Sequence, residues 1–189
     1  MNYMNELRVA LFGSKSGSSI EYLLNIFDTV GLNNIRITDL VVTNTIKNLV
    51  VLRNLADKLV ISLNIYEKEP GNRTAFENKW REFHLKHNPH VIFLLGWNYI
   101  LSDEVLLYLS NHNILVINLH PALPNTWIGQ NVVPSIYKEI MNDTKHTTTI
   151  GSNVHIVTSN LDIGYSIDES RIEVNKNSLD SCESLGKLI

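Results

Sequence analysis

Short apolar runs rich in β-branched residues recur along the chain and constrain its fold more than any other feature. Six of them are predicted to be strands: Leu7–Phe12, Ile35–Val42, Lys58–Leu63, His90–Leu95, Ile114–Ile117 and Asn153–Val157. Apolar residues at helical spacing lie between most of these runs, at Ser18–Val30, Thr74–His87 and Asp103–Ser110. Continuous apolar strands indicate a parallel sheet that is covered on both faces. Because crossover connections are right-handed, this order predicts an α/β fold with a doubly wound, mostly parallel sheet and helices on both faces, a Rossmann-like architecture.

The composition favours one globular domain over residues 1–189, with 44% hydrophobic and 19% charged residues. Sixteen Lys and Arg against nineteen Asp and Glu give a net charge of −3, so no nucleic-acid partner is predicted. A lone cysteine, Cys182, excludes an intramolecular disulfide and favours a reducing, cytoplasmic setting. The N-terminal MNYMNELRVALFG is unlike a signal peptide. No apolar stretch approaches the roughly 20 residues that span a bilayer, so no membrane association is expected.

Three polar loops follow predicted strands: GSKSGSS at 13–19, GWNYIL at 96–101 and NLHPALP at 118–124. Ligands of doubly wound sheets bind at the carboxyl ends of the strands, where the winding direction switches. Asn118 and His120 stand two residues apart in an extended run, so their side chains point to the same side. Pro121 and Pro124 stiffen the loop that follows. The sequence therefore predicts a ligand site that includes this Asn–His pair.

Asp162, in NLDIG, has two interpretations. Asn160, Asp162 and Gly164 are good turn formers, and turn chemistry alone explains them. If the loop folds back toward His120, an Asn, a His and an Asp share one pocket, which suits acyl transfer. An amide and an imidazolium would donate hydrogen bonds to an oxyanion, while the carboxylate raises the imidazole pKa and helps to move protons. His155, inside VHIV, is interpreted as a hydrogen-bonded wall residue.

GSKSGSS is neither a Walker loop nor a full GxGxxG fingerprint. Ser18 and Ser19 are expected to cap the following helix and leave backbone N–H groups for an anion, although an ordinary strand–helix turn explains the loop as well. HLKHNPH places His84 and His87 three residues apart, but this segment itself contains no Cys, Asp or Glu. A solvated helix end is therefore predicted there, and no metal site is assigned.

NLHPALP followed by GSNVHIVTSNLDIG resembles the folate-dependent formyltransferase family. The similarity runs nearly end to end, from LRVALFGSKSGSS through VVTN and PHVIFLLGWNYIL to LDIG. It implies that 10-formyltetrahydrofolate donates a formyl group to the primary amine of glycinamide ribonucleotide, a phosphate-bearing small molecule, in de novo purine biosynthesis. It also implies that Asn118, His120 and Asp162 are the catalytic residues.

The same resemblance implies the binding residues. The donor's pterin would be held, largely through backbone groups, by two loops, namely Trp97, Asn98, Tyr99, Ile100 and Leu101, and Ser159, Asn160, Leu161 and Gly164. The acceptor's phosphate would be held by Gly17, Ser18 and Ser19.

Three departures from the family pattern concern the substrates. Ser19 replaces the usual Asn, and Tyr99 stands where the nearest relatives carry an Arg. The sequence ends at Ile189, within the helix that supplies contacts to the acceptor's ribose, which leaves Lys187 for that role. We therefore expect the protein to make fewer contacts to the acceptor than to the donor.

Two further hypotheses stay open. The acceptor could be another amine, such as an amino sugar nucleotide or methionyl-tRNA, although the acidic charge balance disfavours tRNA. The chain could also bind folate or a nucleotide without turnover. A nicotinamide-dependent dehydrogenase is disfavoured, because the glycine fingerprint and its acidic partner are missing. The sequence predicts no particular oligomeric state.

Overall fold

The computed structural model describes residues 6–67, 73–144 and 147–189. The strands are β1 (Leu7–Gly13), β2 (Ile35–Thr43), β3 (Ser62–Tyr66), β4 (Val91–Leu95), β5 (Leu115–His120), β6 (Thr147–Ile156) and β7 (Ser166–Asn175). The helices are α1 (Ser18–Val30), α2 (Leu49–Leu59), α3 (Arg73–His87), α4 (Asp103–Asn111), α5 (Val132–Asn142) and α6 (Cys182–Leu188), with a 3-10 turn at Lys176–Ser178. The strands are hydrogen-bonded in the order β3-β2-β1-β4-β5-β6-β7. This is the predicted doubly wound, mostly parallel sheet.

By its internal contacts the chain divides into two compact units, residues 1–117 and 118–189. In the first unit β1 pairs in parallel with β2 and β4, and β2 pairs in parallel with β3. The chain therefore winds outward from β1 to β3 and then returns to β4 on the other side of β1. The loops that follow β1 and β4 leave from neighbouring carboxyl ends at this switch point. Ligands of doubly wound sheets bind at such a place.

Continuous apolar strands form the core of the first unit. Ala10, Leu11 and Phe12 of β1 are fully buried, and the ring of Phe12 stacks on that of Trp80 from α3 at a centroid distance of 4.5 Å. Such strands can be buried on both faces, which is why they read as unbroken apolar runs rather than as an alternating pattern.

In the second unit, β6 pairs antiparallel with β7 and a separate apolar core forms. Val132, Ile136 and Ile140 recur at intervals of four along α5 and are buried, as expected for the core-facing stripe of a helix. The other buried members of this cluster are Ala122, Ile150, Val174, Leu179 and Leu185.

The structure corrects the prediction of a strand at Lys58–Leu63. Helix α2 continues to Leu59, and β3 begins only at Ser62. Val60 ends the helix in the left-handed region, with φ 57°. Because Leu59, Val60 and Ile61 are all apolar, the end of the helix and the approach to the strand merge into one apolar run.

No helix within residues 6–67, 73–144 and 147–189 combines the length and the apolar character that a membrane crossing needs.

Candidate active site

Three polar side chains meet at the carboxyl end of β5. Asn118 and His120 occupy alternate positions of this strand and face the loop that follows β6. An oxygen of the Asp162 carboxylate, Oδ1, lies 3.5 Å from His120 Nδ1 and 3.5 Å from Asn118 Nδ2. His120 is 4% exposed. The structure thus brings together the three residues that the sequence pattern grouped.

The Asp162 carboxylate is held from two directions. Its Oδ1 faces His120, and its Oδ2 accepts a hydrogen bond from the backbone N–H of Gly129 at 2.9 Å. Asp162 has a φ of 55°, a left-handed conformation that Asp tolerates better than most residues. Turn chemistry therefore explains the backbone of this residue, but its carboxylate is directed at residues far along the chain.

The ring of His120 is oriented by a main-chain carbonyl. Nε2 lies 3.1 Å from the carbonyl oxygen of Trp127. Both nitrogens face acceptors, but the contact of Nε2 with the carbonyl is shorter than the 3.5 Å between Nδ1 and the Asp162 carboxylate. We therefore assign the proton of the neutral ring to Nε2, which leaves Nδ1 as the basic nitrogen. Trp127 has a φ of 44°, a strained value for a bulky side chain, and its indole N–H donates to Glu139 Oε2 at 2.9 Å.

Burial lowers the pKa of His120 below its ordinary value of 6.5, and this effect outweighs the opposing attraction of Asp162. The Asp162 carboxylate does raise the imidazole pKa, as expected, but its effect is smaller than that of burial. Removing an imidazolium from water costs more than a carboxylate at 3.5 Å returns. At neutral pH the His120 imidazole is neutral, and its Nδ1 is able to accept a proton.

A second buried histidine, His155 of β6, completes the cluster and is 3% exposed. Its Nε2 lies 3.1 Å from Asn118 Nδ2, and its Nδ1 lies 3.1 Å from the carbonyl oxygen of Ile156. The interpretation as a hydrogen-bonded wall residue agrees with these contacts but missed the bond to Asn118. Asn153 and His155 are two polar residues on the buried face of one strand, and this is the signal that could have indicated it.

The loop at 159–164 returns to the end of β6. Thr158 Oγ1 donates to the carbonyl of Asn160 at 3.0 Å. Ser159 and Asn160 are exposed, and Leu161 is 42% exposed. Gly164 lies so close to β6 that an added Cβ would stand 1.7 Å from the carbonyl oxygen of Ile156.

In the first unit, the segment 97–101 is irregular. Trp97 packs edge-on against Phe12, with ring centroids 5.5 Å apart, while Leu101 is buried. Asn98 and Ile100 are exposed, and Tyr99 is half-buried. Ser14 is a residue that the sequence reasoning missed: its hydroxyl donates to the carbonyl of Gly96 at 3.1 Å and accepts the N–H of Asn98 at 2.8 Å.

The glycine-rich loop ends at Gly17, whose φ of 78° favours glycine. Helix α1 begins at Ser18, so Ser18 and Ser19 lie in its first turn and not at the capping position that the sequence predicted. The hydroxyl of Ser16 instead accepts the N–H of Ser18 at 3.3 Å. Ser18 and Ser19 are exposed at the positive end of α1.

The remaining predicted positions lie elsewhere. Lys187 is exposed on α6 and pairs with Glu183 at 3.2 Å. His87 is not solvated as predicted, because its Nδ1 pairs with the buried carboxylate of Asp39. The side chain of His84 lies outside the described residues. Within the described parts of the chain, no group of three or more His, Cys, Asp or Glu side chains is arranged to hold a metal ion.

The structure combines a doubly wound sheet with an Asn–His–Asp cluster at the end of one strand. Comparisons with known proteins identify the family in which this combination belongs. A family model described as formyl transferase matches residues 7–187. The chain belongs to the formyl transferase family.

Two relatives share part of this sequence. A protein of Schizosaccharomyces pombe named phosphoribosylglycinamide formyltransferase is 35% identical over 127 residues, which are 66% of this chain and 59% of the relative. A Saccharomyces cerevisiae protein of the same name is 30% identical over 102 residues, which are 54% of this chain and 47% of the relative. The matched region thus spans about half the length of these relatives.

Solved structures share the fold. Glycinamide ribonucleotide transformylase 1 from Geobacillus kaustophilus superposes with a TM-score of 0.77 at 21% identity, covering 98% of this chain and 91% of that one. A formyltetrahydrofolate deformylase from Pseudomonas syringae gives 0.77 at 20% identity, covering 97% and 56%. At these identities the likeness shows the fold alone.

Proposed function

We propose that residues 1–189 form a single formyltransferase catalytic domain of the cytoplasm. It transfers the formyl group of 10-formyltetrahydrofolate to the primary amine of glycinamide ribonucleotide in purine biosynthesis. The family match and the names of two partial relatives support this choice. The observation that carries it is the neutral, buried His120, whose basic Nδ1 faces the Asp162 carboxylate beside the Asn118 amide.

In the proposed mechanism the amine attacks the formyl carbon directly, and negative charge develops on the formyl oxygen. Asn118 donates an N–H to this oxygen, which is worth roughly 100- to 1000-fold in rate for one donor. The proton that leaves the amine passes to the pair formed by His120 Nδ1 and Asp162. His120 becomes an imidazolium only at this stage, so its positive charge appears together with the oxyanion. The same pair then returns a proton to the departing folate nitrogen. The mechanism assigns no role to a metal ion.

The binding assignments remain part of the proposal. The donor's pterin is placed on the backbone of Trp97–Leu101 and of the segment 159–164, with the exposed Asn98 and Ser159 in support. The acceptor's phosphate is placed at Gly17, Ser18 and Ser19, with Lys187 as a further contact. The left-handed Gly17 and the exposed first turn of α1 support this phosphate position.

One experiment tests the proposal. The purified protein is incubated with 10-formyltetrahydrofolate and glycinamide ribonucleotide, and deformylated folate is followed by absorbance. Parallel reactions replace the acceptor by an amino sugar nucleotide, by methionyl-tRNA or by buffer. A reaction without enzyme serves as the blank. Of these reactions, we expect turnover only in the one that contains both 10-formyltetrahydrofolate and glycinamide ribonucleotide. Equal turnover without any acceptor would show that the protein hydrolyses the donor instead of transferring the formyl group. Faster turnover with another amine would make that amine the acceptor. Folate binding without turnover would mean that the protein is a binding module and not an enzyme.

A further inference from the structure

We propose that His155 is a positioning residue that acts through Asn118, by fixing which end of the Asn118 amide faces the reacting group. The kinetic part of this inference rests on the proposed formyl transfer, whereas its structural part does not. The chain of contacts runs from a main-chain carbonyl to His155 and from His155 to Asn118, within one unit of the protein.

The first link is the carbonyl group of Ile156. It is fixed in place, because the N–H of Ile156 donates to the carbonyl of Tyr165 at 2.9 Å and Gly164 packs directly on its oxygen. His155 Nδ1 lies 3.1 Å from that oxygen. Two acceptors at this distance would repel each other, so Nδ1 must carry a proton. A neutral imidazole with a proton on Nδ1 has a bare Nε2.

The second link is the Asn118 amide. Its Nδ2 lies 3.1 Å from the bare Nε2 of His155 and 3.5 Å from Asp162 Oδ1. Both groups are acceptors, so the amide has to turn its NH₂ toward them and its carbonyl oxygen away. A flipped amide would set an oxygen against a nitrogen lone pair and a carboxylate at the same time. His155 is 3% exposed, so water does not compete for these contacts.

The charged and titratable groups that face His155 agree with this assignment. Asp162 Oδ1 lies 3.8 Å from Nε2, and the ring of His120 stands 6.3 Å away between centroids. Asp162 already accepts the N–H of Gly129 through its other oxygen. The Asp162 contact is too long for a hydrogen bond, which leaves the Asn118 amide as the partner of Nε2.

The consequence concerns the oxyanion. With one N–H of the amide engaged by His155, the other N–H is held toward Asp162, where the proposed chemistry occurs. If His155 carried its proton on Nε2, the amide would reverse and present its oxygen to the developing negative charge. The site would then lose a donor, which costs roughly 100- to 1000-fold in rate.

A structural role alone predicts different results. In that case every substitution at His155 would act through stability and would affect binding and turnover together. A positioning role predicts that an acceptor at the place of Nε2 is what matters. His155→Phe keeps the ring and removes both nitrogens, whereas His155→Gln retains an acceptor oxygen near the place of Nε2.

The test has two arms, both on the full chain. The first measures the imidazole ¹⁵N shifts of His155 in the folded protein by NMR, and we expect a protonated Nδ1 and a bare Nε2. A proton on Nε2 would overturn the proposal whether or not the protein is a formyltransferase. The second compares kcat, and the Kd of a folate analogue, for wild type and the two variants.

In the second arm, we expect His155→Phe to lower kcat by roughly 100- to 1000-fold with the folate Kd within about threefold. His155→Gln should recover most of that loss. If His155→Phe folds and keeps its kcat, or if both variants lose kcat equally, the positioning role is wrong although formyl transfer stands. If wild type shows no transfer at all, the proposed function fails, and the NMR arm alone decides the tautomer of His155.

Discussion

Gly164 offers the sharpest test of how the loop after β6 holds Asp162. In Gly164→Ala the new Cβ would stand 1.7 Å from the carbonyl oxygen of Ile156, 2.9 Å from its carbon and 3.3 Å from His155 Nδ1. The first two neighbours are backbone atoms, so the loop has to move by about 1.7 Å to reach an ordinary contact of 3.4 Å. That movement strains the hydrogen bond between Ile156 and Tyr165. Overpacking costs about 1–3 kcal/mol, and the weakened bond adds about 1 kcal/mol.

We therefore expect Gly164→Ala to lower the free energy of unfolding by about 2–4 kcal/mol, which is roughly 4–16 °C in Tm for a chain of this size. Because Asp162 moves with the loop, turnover should fall by at least about 100-fold, the effect of a displacement near 1 Å. Thermal unfolding and the formyl-transfer assay measure the two quantities.

Gly186→Ala is the matched control. It lies in helix α6, where an added Cβ meets only Val133 Cγ1 at an ordinary 3.5 Å. This change should raise stability by about 0.5–1 kcal/mol, because alanine favours the helix. If Gly164→Ala is as stable and as active as the wild type, the loop does not depend on this close packing and the reasoning fails.

The other predictions concern separate residues. Asp162→Asn should lower turnover roughly 100- to 10,000-fold in a folded protein, since its amide oxygen can still accept the Gly129 N–H; near-normal activity would remove the carboxylate from the mechanism. Burial lowers the pKa of His87 despite the opposing attraction of Asp39. The contribution of His87 to the free energy of unfolding is therefore present above pH 6.5 and is lost as the pH falls through the lowered pKa. His87→Gln should reduce this loss of stability at acid pH in denaturant titrations, and an unchanged pH dependence would contradict the prediction. Ser14→Ala removes the link between Gly96 and Asn98 and should weaken binding of a folate analogue in calorimetry, at a stability cost of about 1–3 kcal/mol; unchanged affinity would mean that the loop is held by other contacts. Ser19→Asn should lower the acceptor's KM roughly 2- to 10-fold with kcat unchanged, unless the phosphate binds elsewhere.

The helices and strands that the sequence placed well are those whose packing is visible in local periodicity. Ser18–Val30 was predicted with the bounds of α1, because its apolar stripe is flanked by Gly17 and Gly31. Strand β7 was not predicted. Its sequence, SIDESRIEVN, is largely exposed and charged, and what makes it a strand is its pairing with β6. Pairing with a distant partner leaves little trace in a single segment.

In the candidate site and elsewhere, residues close in sequence could be grouped, whereas pairs from distant elements could not. Asn118 and His120 could be grouped from sequence, because an extended chain fixes the relation between positions two apart. The pairing of His87 with Asp39 could not, since the two residues come from α3 and β2. A useful signal was nevertheless present: Asp39 interrupts the apolar run of a buried strand, and a buried carboxylate needs a partner.

The sequence predicted the effect of Asp162 on the His120 pKa but not the net direction of the shift. Burial and the nearby Asp162 shift the pKa of the same imidazole in opposite directions, and only the three-dimensional structure shows which effect is larger.

The two buried histidines take opposite tautomers. The Trp127 carbonyl holds the proton of His120 on Nε2, and the Ile156 carbonyl holds that of His155 on Nδ1. Neither carbonyl belongs to the Asn–His–Asp pattern, and each is placed by a feature of the backbone: a left-handed Trp127 in one case, and Gly164 packed on the strand end in the other. Transplanting the three side chains onto another strand end would therefore not transfer the chemistry. The two loops that aim these carbonyls have to be transferred with them.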